Sequence, residues 1–167
     1  MATTLKNLSN YDSSNIPSAN KMRFGIVVSE WNYEITMSMC KGAIETLITH
    51  GALEENIEIT YVPGSFELSL GSQLLAEKDD VDAVIALGCV IQGETRHFDF
   101  ICQGVAYGIT EVSLKYSKPV IFGVITSNNM QQAVDRSGGK HGNKGVEAAI
   151  TAIKMAALKS SLKKSIK

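Results

Sequence analysis

Four stretches of this 167-residue chain gather side chains able to do chemistry. Trp31-Asn32 sets the single tryptophan beside an amide. Pro63-Gly64-Ser65-Phe66-Glu67 joins a glycine, where backbone can approach a ligand, to a hydroxyl, an aromatic ring and a carboxylate. Gly88 opens a run that brings together the Cys89 thiol, apolar Val90 and Ile91, the Glu94 carboxylate, the Thr95 hydroxyl and the His97 imidazole. Arg136 leads into a glycine-rich segment that also carries Lys140 and Lys144.

Each feature has a chemical and a plainly structural reading. Trp31 is either a flat surface on which a heteroaromatic ring stacks or an aromatic of the core or an interface. Ser65 can cap a helix, and exposed amides at such a start suit the carbonyl or hydroxyl groups of a ligand; a capped helix without a ligand is the alternative. His97 can move protons near neutral pH, or be structural only. Cys89 is a candidate nucleophile or a small buried hydrophobe. Arg136 with Lys140 and Lys144 makes either an anion site, arginine holding phosphate through two parallel hydrogen bonds, or a set of solvated loop charges. The segment lacks the G-x-x-x-x-G-K-[ST] spacing of a nucleotide loop, and no G-x-G-x-x-G follows the first strand. A small phosphorylated substrate therefore fits better than ATP or a dinucleotide. His50, His97 and His141 are not at metal-ligand spacing and no carboxylates cluster, so no metal is expected.

The elements that must position these residues follow from apolar periodicity. Residues 24–28, 57–62, 81–91 and 119–126 read as strands. Ile35, Met39, Ala43 and Leu47 recur at helical spacing up to His50-Gly51, and a second helix runs through Leu68 and Leu75. Phe98, Ile101, Val105, Ile109, Val112 and Tyr116 trace one face of a third. A short helix over 130–135 precedes a last one from about Lys144, with Val146, Ile150, Ile153 and Ala157 on one face. Strand–helix alternation with continuous apolar strands predicts a four-stranded parallel sheet covered on both sides: a three-layer α/β/α sandwich of the flavodoxin-like kind. Ligands in such sheets sit at the carboxyl ends of the strands, and all four chemical stretches fall there.

Residues 1–20, rich in Asn and Ser, read as an arm that is either loose or docked on a neighbouring subunit, with room for an extra strand. Residues 21–160 form the α/β domain, and residues 161–167 a Lys-rich tail. With Lys159, the tail's Lys163, Lys164 and Lys167 suit a solvated helix end. Sixteen Lys and Arg against 17 Asp and Glu argue against nucleic acid or an acidic membrane as the main partner. Three cysteines without a C-x-x-C pair indicate a reducing compartment. No apolar run reaches membrane-spanning length and no basic-then-hydrophobic leader is present, so a cytoplasmic location is expected.

Five blocks, in order and in register, resemble the lumazine synthase (6,7-dimethyl-8-ribityllumazine synthase) family. They are Phe24-Gly25-Ile26-Val27-Val28 with Trp31-Asn32, residues 62–67, residues 86–95 with His97-Phe98-Asp99, residues 119–124 and residues 136–149. The likeness runs from 24 to 157 and leaves out the arm and the Lys-rich end. Trp31 stands where many members carry Phe, and Cys89 and Gln92 replace commoner residues in their loop.

The resemblance implies a condensation of 5-amino-6-(D-ribitylamino)uracil with 3,4-dihydroxy-2-butanone 4-phosphate. The amine attacks the carbonyl to form an imine, phosphate leaves, the ring closes and water is lost. Because the substrate's own amine is the nucleophile, neither a cofactor nor a metal is required, and catalysis rests on holding two reactants in line. The resemblance further implies that Trp31 stacks on the pyrimidine. Ser65, Phe66 and Glu67 with Cys89, Val90 and Ile91 would bind the ribityl chain and ring edges. Glu94, Thr95 and Arg136 would hold the phosphorylated butanone, and His97 would donate the proton. Phe122, inside a strand, would reach the adjacent subunit's site together with Arg136 and Lys144, in a homo-oligomer that is a pentamer or a shell of sixty subunits. Three other readings stand beside this one. A riboflavin synthase sharing the fold would have no use for Arg136. A flavodoxin-like binding module is poorly served by Ser29-Glu30-Trp31-Asn32. A shell protein without turnover would not need His97 and Arg136.

Overall fold

The structure, a computed structural model, describes residues 7–164; the first six residues of the arm, and residues 165–167 with Lys167 of the Lys-rich end, lie outside the described residues. Strands β1 (Phe24–Ser29), β2 (Ile57–Val62), β3 (Ala83–Ile91) and β4 (Val120–Ser127) form one parallel sheet in the order β2-β1-β3-β4. Helices α1 (Tyr33–Thr49) and α5 (Lys144–Lys164) cover one face, α2 (Leu68–Ala76) and α3 (His97–Lys115) the other. This is the three-layer sandwich expected from the periodicity.

The two-residue alternation of the strands divides the core between the faces. Phe24, Ile26 and Val28 of β1, with Ile85 and Leu87 of β3, pack among Met39, Leu47 and Ile153 of α1 and α5. Val27, Val84 and Ala86 pack among Leu68, Val105 and Ile109 of α2 and α3. Burial on both faces is why the central strands read as unbroken apolar runs. β2 departs from that expectation: as an edge strand it has no fully buried residue and leaves Ile59 and Tyr61 37% and 49% exposed.

From β1 the chain steps to the edge at β2, then returns past β1 to β3. The helices of these two crossings, α1 and α2, lie on opposite faces. The loops leaving β1 and β3 therefore diverge, and a crevice opens at the carboxyl ends of those two strands.

The described part of the arm, residues 7–20, forms no strand. It contains a 3-10 turn, Ser13–Asn15, capped by Asp12. The arm docks on its own chain: the Leu8 N–H donates to the His141 carbonyl (2.7 Å) and the Ala19 N–H to the His50 carbonyl (2.8 Å). The glycine-rich segment, read from sequence as a loop, is a small hairpin of β5 (Ser137–Gly139) and β6 (Gly142–Asn143) behind the short helix α4 (Met130–Arg136). Backbone φ values of +130° at Gly138 and +82° at Gly142, open to glycine at little cost, form its turn. Asn143 Nδ2 donates to the Ser38 and Ser137 carbonyls and so holds the hairpin to α1.

Asp135 anchors this hairpin. Its carboxylate accepts from Gln131 Nε2 (2.9 Å) and pairs with Lys140 Nζ (3.1 Å), and these contacts, Gln131 foremost, hold its pKa below the ordinary 3.8. A depressed folded-state value means that the contribution is present above pH 3.8 and is lost as pH falls through the folded value. Asp135→Asn is therefore expected to melt below the wild type at neutral pH and to converge with it in acid. A gap in Tm that stays constant from pH 7 into that acid range would exclude the ionised Asp135 carboxylate as its source.

Candidate active site

The crevice is a cleft of about 650 Å³. Trp31 and Asn32 border it from the exit of β1, Gly64 to Glu67 from the exit of β2, and Cys89, Val90 and Ile91 from the end of β3. His97 and Ile101 close it from the first turn and a half of α3.

Trp31 is held by its backbone rather than by packing. Its N–H donates to the Pro63 carbonyl (3.1 Å), while the residue is 73% exposed, which leaves the indole face available to a planar ring. Ser65 is buried, and it does not cap α2 as expected: its hydroxyl turns to the Cys89 carbonyl at 3.5 Å. The amides at the start of α2 are therefore not taken by a capping side chain and are placed to meet ligand oxygens. Glu67 folds back over Gly64, where a Cβ would stand 3.0 Å from Glu67 Oε2. Phe66 lies against the α3 backbone at Gly104; a Cβ there would be 2.9 Å from the ring, so any larger residue would push Phe66 away.

Cys89 belongs to the core cluster on the α1–α5 side, and burial pushes its thiol up to about 11. Almost no thiolate exists at neutral pH under those conditions, which favours the small-hydrophobe reading over the nucleophile. His97 begins α3, exposed, with its N–H donating to Thr95 Oγ1 at 3.3 Å. The arrangement combines aromatic and aliphatic walls for a planar ring, a carboxylate and a hydroxyl for polyol groups, and an imidazole for proton transfer.

Five residues expected at the site do not border this cleft. Glu94 and Thr95 lie exposed in the loop leading into α3. Phe122 sits mid-strand on β4, the sheet edge opposite β2, 36% exposed. Arg136 is half-buried at the end of α4, its Nη1 donating to the Gln132 carbonyl (3.0 Å), and Lys144 pairs with Glu147 at 2.7 Å. Asn32 and Gly64, already placed at this edge by their strand-exit motifs, border the cleft as well, and so does Ile101, which was not expected there. Ile101 had shown only the periodicity of a core face. Among the described residues no three His, Cys, Asp or Glu side chains gather as metal ligands.

Comparison with known proteins gives the family. A family model described as 6,7-dimethyl-8-ribityllumazine synthase matches residues 21–160. A protein of that name from Cytophaga hutchinsonii is 64% identical over 157 residues, covering 94% of this chain and 98% of its own. Namesakes from Porphyromonas gingivalis and Phocaeicola vulgatus are 56% and 54% identical, covering 95% and 99% of this chain and 98% of each relative. Identity above one half over at least 94% of this chain goes well beyond a shared fold. The chain belongs to the 6,7-dimethyl-8-ribityllumazine synthase family, the enzymes of the penultimate step of riboflavin biosynthesis.

Proposed function

We propose that the cleft at the exits of β1, β2 and β3 binds 5-amino-6-(D-ribitylamino)uracil, and that a neighbouring copy completes it with Phe122, Arg136 and Lys144. The reaction is the family's condensation of that pyrimidine with 3,4-dihydroxy-2-butanone 4-phosphate, giving 6,7-dimethyl-8-ribityllumazine, phosphate and water. One observation carries the division of labour: Trp31, Ser65, Phe66, Glu67 and His97 share a cleft from which Phe122, Arg136 and Lys144 of the same chain are absent.

Within the cleft Trp31 stacks on the pyrimidine, the Ser65 to Glu67 turn holds the ribityl hydroxyls, and the backbone of Val90 and Ile91 meets the ring edge. Glu94 and Thr95 at the head of α3 and Arg136 from across the interface hold the phosphorylated ketone. The substrate amine attacks the ketone carbon and one of its protons passes to the carbonyl oxygen; His97 supplies a second, that oxygen departs as water, and the remaining amine proton returns to His97 as the imine forms. Most of the acceleration then comes from alignment, with effective molarities that reach about 10⁵ M or more in well-oriented systems.

The surface supports a homo-oligomer. Phe100, Tyr107 and Leu114 recur every seventh residue on α3 and are 70–77% exposed, with Leu70 and Leu74 of α2 also exposed. An isolated protein rarely leaves such an apolar stripe to water. We take the assembly as a pentamer or a shell of pentamers, with residues 21–160 as the catalytic unit and the arm (1–20) and Lys-rich tail (161–167) as additions to it. Neither a membrane nor nucleic acid is a partner in this reading: charge is balanced, and no described helix is long and apolar enough to cross a bilayer. The unpaired cysteine number favours the cytoplasm.

The direct test mixes purified protein with both substrates and follows lumazine fluorescence alongside phosphate release. Matched, enzyme-dependent appearance of the two is expected. Pyrimidine binding without turnover would instead indicate a binding or shell protein.

A further inference from the structure

Asn32 stands at the start of α1 yet does not act as a helix cap. An asparagine there ordinarily has extended backbone and turns its side chain back to the first helical amides. Here the backbone is left-handed, φ 60° and ψ 46°, and no capping bond forms. Only its carbonyl serves the helix, accepting from the Ile35 and Thr36 N–H groups at 2.9 and 3.1 Å. The side-chain amide goes elsewhere: Nδ2 donates to the Cys89 carbonyl at 2.9 Å, 57 residues along the chain. Backbone pairing between β1 and β3 ends at Val28 and Leu87. The amide thus supplies one more rung between the two strands after the β1 backbone has turned away, at the point where the crevice opens.

We propose that Asn32 is a positioning residue for the reaction, holding the Trp31 ring and the end of β3 at the separation that the pyrimidine needs. The inference rests on reading the cleft as the pyrimidine site. Trp31 is too exposed for packing to hold it, so its place depends on backbone ties. Toward β2 these are the Trp31 N–H to the Pro63 carbonyl and the Glu30 N–H to the Val62 carbonyl, 3.1 and 2.8 Å. Toward β3 the tie is the Asn32 amide. The same bond has a second consequence. With Asn32 Nδ2 at 2.9 Å and Ser65 Oγ at 3.5 Å, both lone pairs of the Cys89 carbonyl are engaged. That carbonyl does not serve as an acceptor for the substrate, and recognition of the ring edge falls to Val90 and Ile91.

Asn32→Gly and Asn32→Asp test this. Both residues tolerate left-handed backbone, so the turn is kept; glycine deletes the donor, and aspartate sets an acceptor against the carbonyl. Trp31, the only tryptophan, reports directly through its fluorescence. Titration with 5-amino-6-(D-ribitylamino)uracil is expected to show about tenfold weaker binding for Asn32→Gly and a larger loss for Asn32→Asp. In both, Trp31 anisotropy in the free protein should fall, while KM for the phosphorylated ketone stays within about twofold of wild type. If one variant does not fold, the other decides. Wild-type affinity with unchanged anisotropy would overturn the positioning role and leave the cleft reading intact. Equal weakening toward both substrates with a lowered Tm would overturn it in favour of a merely structural bond. A wild-type Trp31 that does not respond to the pyrimidine would overturn the cleft reading, and this inference with it.

Discussion

Co-expressed in equal amounts, His97→Ala and Arg136→Ala chains will recover about a quarter of wild-type turnover, although each variant alone falls by about a hundredfold. The expectation follows from where the two residues stand. His97 borders the cleft and Arg136 of the same chain does not. If each working site takes its cleft from one subunit and its arginine from the next, a mixed ring contains interfaces at which the Arg136→Ala chain supplies an intact cleft. Its neighbour, the His97→Ala chain, supplies an intact arginine. Random assembly makes that arrangement at one interface in four, two independent even chances multiplied. Were both residues used within one chain, every site in the mixture would lack one of them, and activity would stay at the level of the parents. The same material bears on assembly, because light scattering that shows a monomer at micromolar concentration would remove the shared site altogether.

Arg136→Ala on its own should divide the two substrates sharply. Removing a guanidinium that holds phosphate through paired, charge-assisted hydrogen bonds costs about 2–5 kcal/mol at a desolvated contact, or between about thirtyfold and several thousandfold in binding. We expect KM for 3,4-dihydroxy-2-butanone 4-phosphate to rise at least thirtyfold, within that range. Quenching of Trp31 by the pyrimidine should keep a midpoint within about twofold of wild type, since in the proposed site Arg136 and Trp31 meet different substrates. Equal loss toward both, measured by titration, would take Arg136 out of the phosphate role. In the free chain the guanidinium donates to its own helix at the Gln132 carbonyl.

Much of the scaffold was legible because it is local. Ile35, Met39, Ala43 and Leu47 all lie buried on the inner face of α1, as their spacing required. Val105, Ile109 and Val112 do the same on α3. The central strands announced themselves through unbroken apolar runs, since a strand covered on both faces has no polar side to show. Legibility failed where a second, distant segment decides the outcome. The exposure of β2 follows from its place at the sheet edge, which only the strand order reveals. Ser65 has the residue type of a helix cap, but its hydroxyl meets Cys89, 24 residues away. The Gly138 to Gly142 segment carries turn residues that suit a loop and a hairpin equally, and Asn143 settles the matter by reaching to α1.

By itself the sequence determined the succession of strands and helices, the faces they bury and the four stretches at the strand exits that carry reactive side chains. Periodicity and residue type act over a few positions, and no longer-range information is needed to read them. Tertiary structure alone decided the strand order, and with it the crevice between β1 and β3. It also decided the turning of the Cys89 thiol into the core and the Asn32 amide that ties the two strand ends together. These depend on which segments meet across the fold, and the free energy of such meetings resides in pairs of residues far apart in the chain. In the proposed shared site the same reasoning covers Phe122, Arg136 and Lys144, which do not border the cleft of their own chain: residue type suggests their chemistry, but which site they serve depends on packing between chains.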